Sequence, residues 1–119
     1  MIATTIKQSK HLLELGLDPK TADCNWNTTF GERSLCIGKN KLPHAVPAWS
    51  LSALLEVMPK ELEVGLFKTP ISGEYFFSLW TDDHHMGDDY KEPIDAAYEM
   101  VCWLLEQGLI KKGDNDEND

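Results

Sequence analysis

The sequence predicts an α+β fold: a small antiparallel sheet of two or three strands packed by an N-terminal and a C-terminal helix. Three observations predict it. After Pro93 the residues Ile94, Ala97, Tyr98, Val101, Leu104 and Leu105 recur at spacings of three and four, the period of an amphipathic helix. Leu62–Thr69 and Tyr75–Thr81 are rich in aromatic and aliphatic residues and are separated by Pro70-Ile71-Ser72-Gly73, so they read as a hairpin near 62–81. Near the start of the chain Ile2, Ile6, Ser9 and Leu13 fall on one helical face with Leu12 beside it.

Taken in order, the first helix is expected over 4–15, with Thr4 or Thr5 as N-cap and Gly16 after the last turn. Asp18-Pro19 is a second start signal, a cap followed by proline at the first helical position. Asn25–Thr29 has no helical period, so only one or two turns are expected there, and Trp26 is placed in a polar loop. Ser34–Ile37 is short, apolar and β-branched at its end, between Gly31 and the turn-rich Gly38-Lys39-Asn40-Lys41, which suggests a strand. Pro43 and Pro47 bracket an extended entry to a short, mostly buried helix over Trp49–Met58, stopped by Pro59. In the second hairpin strand Tyr75, Phe77 and Leu79 alternate with Phe76, Ser78 and Trp80, so aromatics point to both faces and both are expected to be covered. The last helix starts at Pro93 and stops at Gly108, with Lys111 and Lys112 complementing its dipole.

A chain of 119 residues has the size of one domain, expected over 1–113. Residues 114–119, Asp-Asn-Asp-Glu-Asn-Asp, carry no apolar group and are expected to form a disordered acidic tail. Hydrophobic residues are 42% and charged residues 26% of the chain, ordinary globular usage. Lys and Arg number 11 against 20 Asp and Glu, a formal net charge of −9. No stretch holds more adjacent cations than the pair Lys111–Lys112, which disfavours direct nucleic-acid binding. The N-terminus lacks an apolar signal core and no run is long enough to cross a bilayer; no membrane contact and a cytoplasmic location are expected. Cys24, Cys36 and Cys102 are odd in number and widely spaced, which argues for reduced thiols and against a disulfide framework or a zinc knuckle. No cofactor is implied.

The densest chemistry lies in Thr81–Asp89, where Asp82, Asp83, Asp88 and Asp89 stand with His84 and His85. These are metal-ligand types, and Asp82, Asp83, His84 and His85 are the weak metal candidates. A calcium loop starting at Asp82 would put His84 and Met86 at oxygen positions and Pro93 at the twelfth. Adjacent histidines diverge rather than converge on one ion, so a solvated loop is the simpler reading and no metal site is assigned. Cys102 in the last helix and Cys36 in its strand read as small core residues. No phosphate-binding loop, nucleophile elbow, zincin or dinucleotide fingerprint occurs; no catalytic residue is assigned. Four tryptophans, Trp26, Trp49, Trp80 and Trp103, are many for this length. Trp103 sits at the edge of the apolar stripe of the last helix, which predicts partial burial. Trp26, Trp49 and Trp80, with His84 and His85, are the candidate interaction residues.

Three segments carry a resemblance: Leu15-Gly16-Leu17-Asp18 to Thr21-Ala22-Asp23, then Val46-Pro47-Ala48-Trp49-Ser50-Leu51-Ser52-Ala53-Leu54-Leu55-Glu56 to Met58-Pro59-Lys60, then Glu92-Pro93-Ile94-Asp95-Ala96-Ala97-Tyr98-Glu99-Met100-Val101. The chain resembles a family of small uncharacterised proteins of Bacteroides-type gut bacteria and their prophage and conjugative elements. The resemblance spans the chain from the first helix to the last and implies a setting, with no activity to transfer.

The sequence therefore favours a non-catalytic interaction or accessory protein of a mobile genetic element, its partner a protein. A homodimer joined through an apolar face is compatible with the two-sided aromatic strand. One alternative is a small metal- or ligand-dependent enzyme using the Asp82–Asp89 loop. Another is an acidic inhibitor that mimics nucleic acid and occupies a basic groove.

Overall fold

The computed structural model describes residues 2–28, 33–38, 45–60, 62–80 and 85–110, with the side chains of Trp80 and His85 excepted. The order is α1 (Ile6–Glu14), a 3₁₀ turn (Pro19–Thr21), β1 (Cys24–Asn27), β2 (Ser34–Ile37), β3 (Val46–Ala48), α2 (Leu51–Val57), β4 (Glu63–Lys68), β5 (Tyr75–Trp80), β6 (His85–Met86) and α3 (Pro93–Glu106). The fold is α+β, as expected. The expected small antiparallel sheet forms around the hairpin, ordered β4-β5-β6, and a second antiparallel sheet, ordered β2-β1-β3, stands beside it. The acidic tail lies outside the described residues.

The helices begin and end for local reasons. Thr5 caps α1 in a capping box: its hydroxyl accepts from the Gln8 amide at 3.0 Å and the Gln8 side chain accepts from the Thr5 amide at 2.9 Å. Gly16 follows at φ 101°, a left-handed position that favours glycine. Asp18 caps the 3₁₀ turn by accepting from the Lys20 amide. Ser50 caps α2. Pro93 opens α3, whose exit passes through Gly108 at φ 74°.

The expected hairpin forms, with β4 and β5 paired from Glu63↔Trp80 to Lys68↔Tyr75. Its inner face presents Val64, Leu66, Phe77 and Leu79 to α3. Leu12 of α1, Trp49, Leu54 of α2, Phe77, Leu79, Val101, Leu104 and Leu105 are all essentially excluded from solvent and form the main core. The Gln8 side chain, through Nε2, donates to the Asp95 carboxylate at 3.0 Å, which ties α1 to the first turn of α3.

The second sheet is where the sequence expectation changes. Trp26 belongs to β1, the central strand, rather than to a polar loop. Asparagine disfavours strands, but here Asn25 is buried and its side-chain amide donates to the Gly38 carbonyl at 2.8 Å, so pairing on both sides outweighs propensity. Pro47 lies in β3, an edge strand opposite Asn25, where its missing N–H is tolerated. Cys24, Ala48 and Ala3 make a small second core, with Trp26 and Leu35 packed against it.

A polar seam joins the two cores. The Thr4 amide donates to the Trp49 carbonyl at 2.9 Å, the Trp49 amide donates to the Thr4 hydroxyl at 3.1 Å, and the Thr4 hydroxyl meets the Ser9 hydroxyl at 2.8 Å. The indole N–H of Trp26 donates to the Thr4 carbonyl and that of Trp49 to the Thr21 hydroxyl, both at 2.9 Å. The Asp23 carboxylate accepts from the amide and the hydroxyl of Ser50. Thr4 and Ser9 are fully buried and every polar group of Thr4 is used, as a buried polar cluster requires.

Candidate functional site

Thr81–His84, with Asp82 and Asp83, lies outside the described residues. The chain re-enters at β6, where the backbone of His85 pairs with Leu79 and that of Met86 with Ser78. The Gly87 amide donates to the Phe77 carbonyl at 2.7 Å, and Tyr90 bridges back to Tyr75. Asp88 and Asp89 are exposed. Among the described residues no three His, Cys, Asp or Glu side chains gather as a metal site, and no helix is long and apolar enough to cross a membrane.

The candidate tryptophans separate. Trp49 is fully buried and hydrogen-bonded, so the expectation that it offers a contact surface is corrected: it is a core residue. Trp26 is half-buried with its indole N–H satisfied within the chain. Trp80 has its backbone in β5 opposite Glu63.

The fold assembles what sequence spacing did not show. A cavity of about 260 Å³ opens between α1, the segment after β6, and α3. On α3, Glu99, Trp103 and Glu106 follow one another at helical spacing, and all three line it. Asp88 and Met86 come from the β6 side, and His11 from α1. Trp103 is half-buried, as its place at the stripe edge predicts. Among the described residues no Lys or Arg joins the three carboxylates in the lining. Past the paired rings of His11 and Tyr98, 6.2 Å between centroids, lies a second cavity of about 480 Å³ carrying Lys7 and Lys10. The i,i+4,i+7 carboxylate–indole–carboxylate stripe was readable in the sequence; its opposite walls were not.

Cys102 and Tyr98 also line the cavity. Burial pushes the Cys102 thiol up to about 12, with Glu99 and Glu106 adding to the effect against the hydrogen bond to Tyr98. Burial likewise raises the Tyr98 phenol, and it raises Tyr90 to about 12 with help from Glu99 and Asp88. In the second core, burial and the Asp23 charge raise Cys24 to about 11. Both buried thiols are protonated at neutral pH, and a thiol attacks as its thiolate.

No protein-family model, no curated protein and no solved structure matches the chain. The functional reading rests on the geometry.

One further surface stands out. On the outer face of the hairpin sheet Phe67 and Phe76 are cross-strand partners with rings stacked at 5.5 Å. The Phe67 ring lies back over Gly65: a Cβ there would meet the ring edge, at Cε2, at 2.6 Å. Phe67 is 44% exposed and Ile71, at the turn, 99%. β4 is the end strand of its sheet, and among the described residues no backbone or side-chain group pairs with its outer edge.

Proposed function

We propose that the protein is a non-catalytic interaction protein, an accessory of a mobile genetic element in the setting that its sequence resemblance implies. Its partner is a protein that adds an extended segment to the outer edge of β4. The observation that carries the reading is the six-residue edge strand β4 flanked by the stacked pair of exposed Phe67 and half-buried Phe76. An open edge offers N–H and C=O groups at strand spacing, which only another extended backbone matches. The aromatic pair gives that segment an apolar seat on one face. The net charge of −9 favours a basic partner and speeds the encounter. The protonated state of Cys24 and Cys102 supports binding over thiol-based turnover.

The experiment compares the full-length protein with Phe67→Glu and Ile71→Glu in capture of a partner from host lysate, followed by amide exchange of the purified complex. Phe67→Glu loses the partner, Ile71→Glu keeps it, and the β4 amides become protected in the complex. Equal capture by both variants overturns the reading. Sedimentation of the isolated protein as a dimer with protected β4 amides would make the occupant a second copy and overturn the heteromeric reading.

A further inference from the structure

We infer that the cavity between α1, β6 and α3 binds an alkylammonium or guanidinium group, either the head of a small free amine or a lysine or arginine side chain of a partner. This goes beyond strand addition at β4 and stands or falls separately from it.

The cavity is the site, and the chemistry of its walls selects the ligand. At about 260 Å³ it has the space of several waters, since each takes about 30 Å³ in the liquid. That accommodates a side-chain-sized group and excludes a folded element. The wall on α3 is the Trp103 indole, with Glu99 one turn before it and Glu106 in the turn after it. Asp88 and Met86 face it from the β6 side. A weakly hydrated organic cation gains from both kinds of wall: the indole face attracts it through the ring quadrupole, and the carboxylates neutralise it.

A small divalent metal ion gains much less. It holds its water strongly and needs converging oxygen donors, and among the described residues no three ligands converge. An anion is repelled by the three carboxylates, beside which the described lining residues include no Lys or Arg. The nearest lysines on α1, Lys7 and Lys10, line the neighbouring cavity beyond the His11–Tyr98 rings, so the first cavity is the negative end of the pair. Cys102 and Tyr98 are neutral at physiological pH and add no competing charge.

The test titrates agmatine and spermidine into the full-length protein while the Trp103 indole N–H resonance is followed by NMR. Saturable shifts at Trp103 are expected, weakened roughly tenfold by the double change Glu99→Gln with Glu106→Gln. Trp103→Leu also weakens binding, read from the Tyr98 resonances. The Gln variants sit at exposed positions and keep the test decisive where Trp103→Leu fails to fold. Glu56→Gln with Glu74→Gln removes the same charge away from both this cavity and β4 and leaves affinity unchanged.

No saturable shift at millimolar amine overturns the inference, as does equal weakening by the control pair, which would show unspecific attraction. Equally tight binding of magnesium or calcium at Trp103 also overturns it. A lysine-containing peptide that shifts Trp103 at lower concentration than free agmatine, with its norleucine counterpart silent, identifies a partner side chain as the source. The reverse order identifies a free amine. Loss of amine binding with strand capture intact separates this inference from the role of β4.

Discussion

Replacing Asp23 by alanine tests the seam between the two cores most directly. Its carboxylate takes two hydrogen bonds from Ser50, one from the amide at 2.9 Å and one from the hydroxyl. The same hydroxyl accepts from the Ala53 amide at 3.2 Å, as the N-cap of α2. A hydrogen bond to a charged group contributes about 1.5–3 kcal/mol, and the partly exposed position of Asp23 selects the lower half of that range. Asp23→Ala is therefore expected to destabilise the fold by about 3–4.5 kcal/mol. At this chain length that lowers the midpoint of thermal unfolding by roughly 12–18 °C. Ser50→Ala, which removes the cap and one of the two bonds, costs about 1–2 kcal/mol.

The double variant should cost less than the sum of the two by about 1 kcal/mol or more, because both changes remove the same hydroxyl–carboxylate bond. Urea unfolding monitored by circular dichroism measures all three. Strict additivity, or a cost for Asp23→Ala under about 0.5 kcal/mol as for an ordinary surface change, would show that the Asp23–Ser50 bonds do not hold the two cores together. The pH dependence has a defined sign. Burial raises the Asp23 carboxyl, but the bonds from Ser50 and the Cys24 thiol outweigh it and hold the group below its ordinary 3.8. A depressed acid contributes stability above its unfolded pKa and loses it as pH falls through the folded one. The stability gap between the wild-type protein and Asp23→Asn should therefore close in the acid range below 3.8.

Other expectations follow from burial and backbone geometry. With Cys24 raised to about 11 and Cys102 to about 12, a thiol reagent at neutral pH should modify the half-buried Cys36 of the edge strand β2 first and reach the other two only on unfolding. Fast modification of Cys102 in the native state, read by mass spectrometry, would contradict its assignment as an inert wall. Phe77→Ala, at a ring only 1% exposed, should cost about 3–5 kcal/mol in chemical denaturation, whereas the half-exposed Phe67→Ala should cost much less. Gly108→Ala should destabilise by roughly 1–2 kcal/mol through backbone strain alone, because φ is +74° there and an added Cβ would meet nothing within 4 Å.

The parts of the fold legible in the sequence are those where local signals and tertiary packing agree. The period of α3, the Thr5–Gln8 capping box and the alternation of β5 all point the same way at both levels. β1 and β3 were obscured because Asn25, Asn27 and Pro47 oppose strand formation locally and are held there by pairing to neighbours far along the chain. The second sheet was hidden for the same reason. The amphipathic period of α3 placed Trp103 correctly, but the cavity it lines depends on His11 and Asp88, whose approach is set by the packing of α1 and β6. Trp49 shows the converse limit: a tryptophan beside a helix start has the same spacing whether it meets a partner or the core, and here its ring packs in the main core with its indole N–H taken up by Thr21.

The seam has a kinetic meaning as well. The amides of Thr4, Trp49 and Ser50 each donate across the boundary between the two cores rather than within a helix or sheet ladder. Their hydrogens can exchange with solvent only when the halves part. Their protection, compared with that of α3 amides, would measure how much free energy separates a hinged-open molecule from full unfolding. If all exchange together, the small second sheet and the main core melt as one cooperative unit. In that case a ligand held by either half would stabilise both.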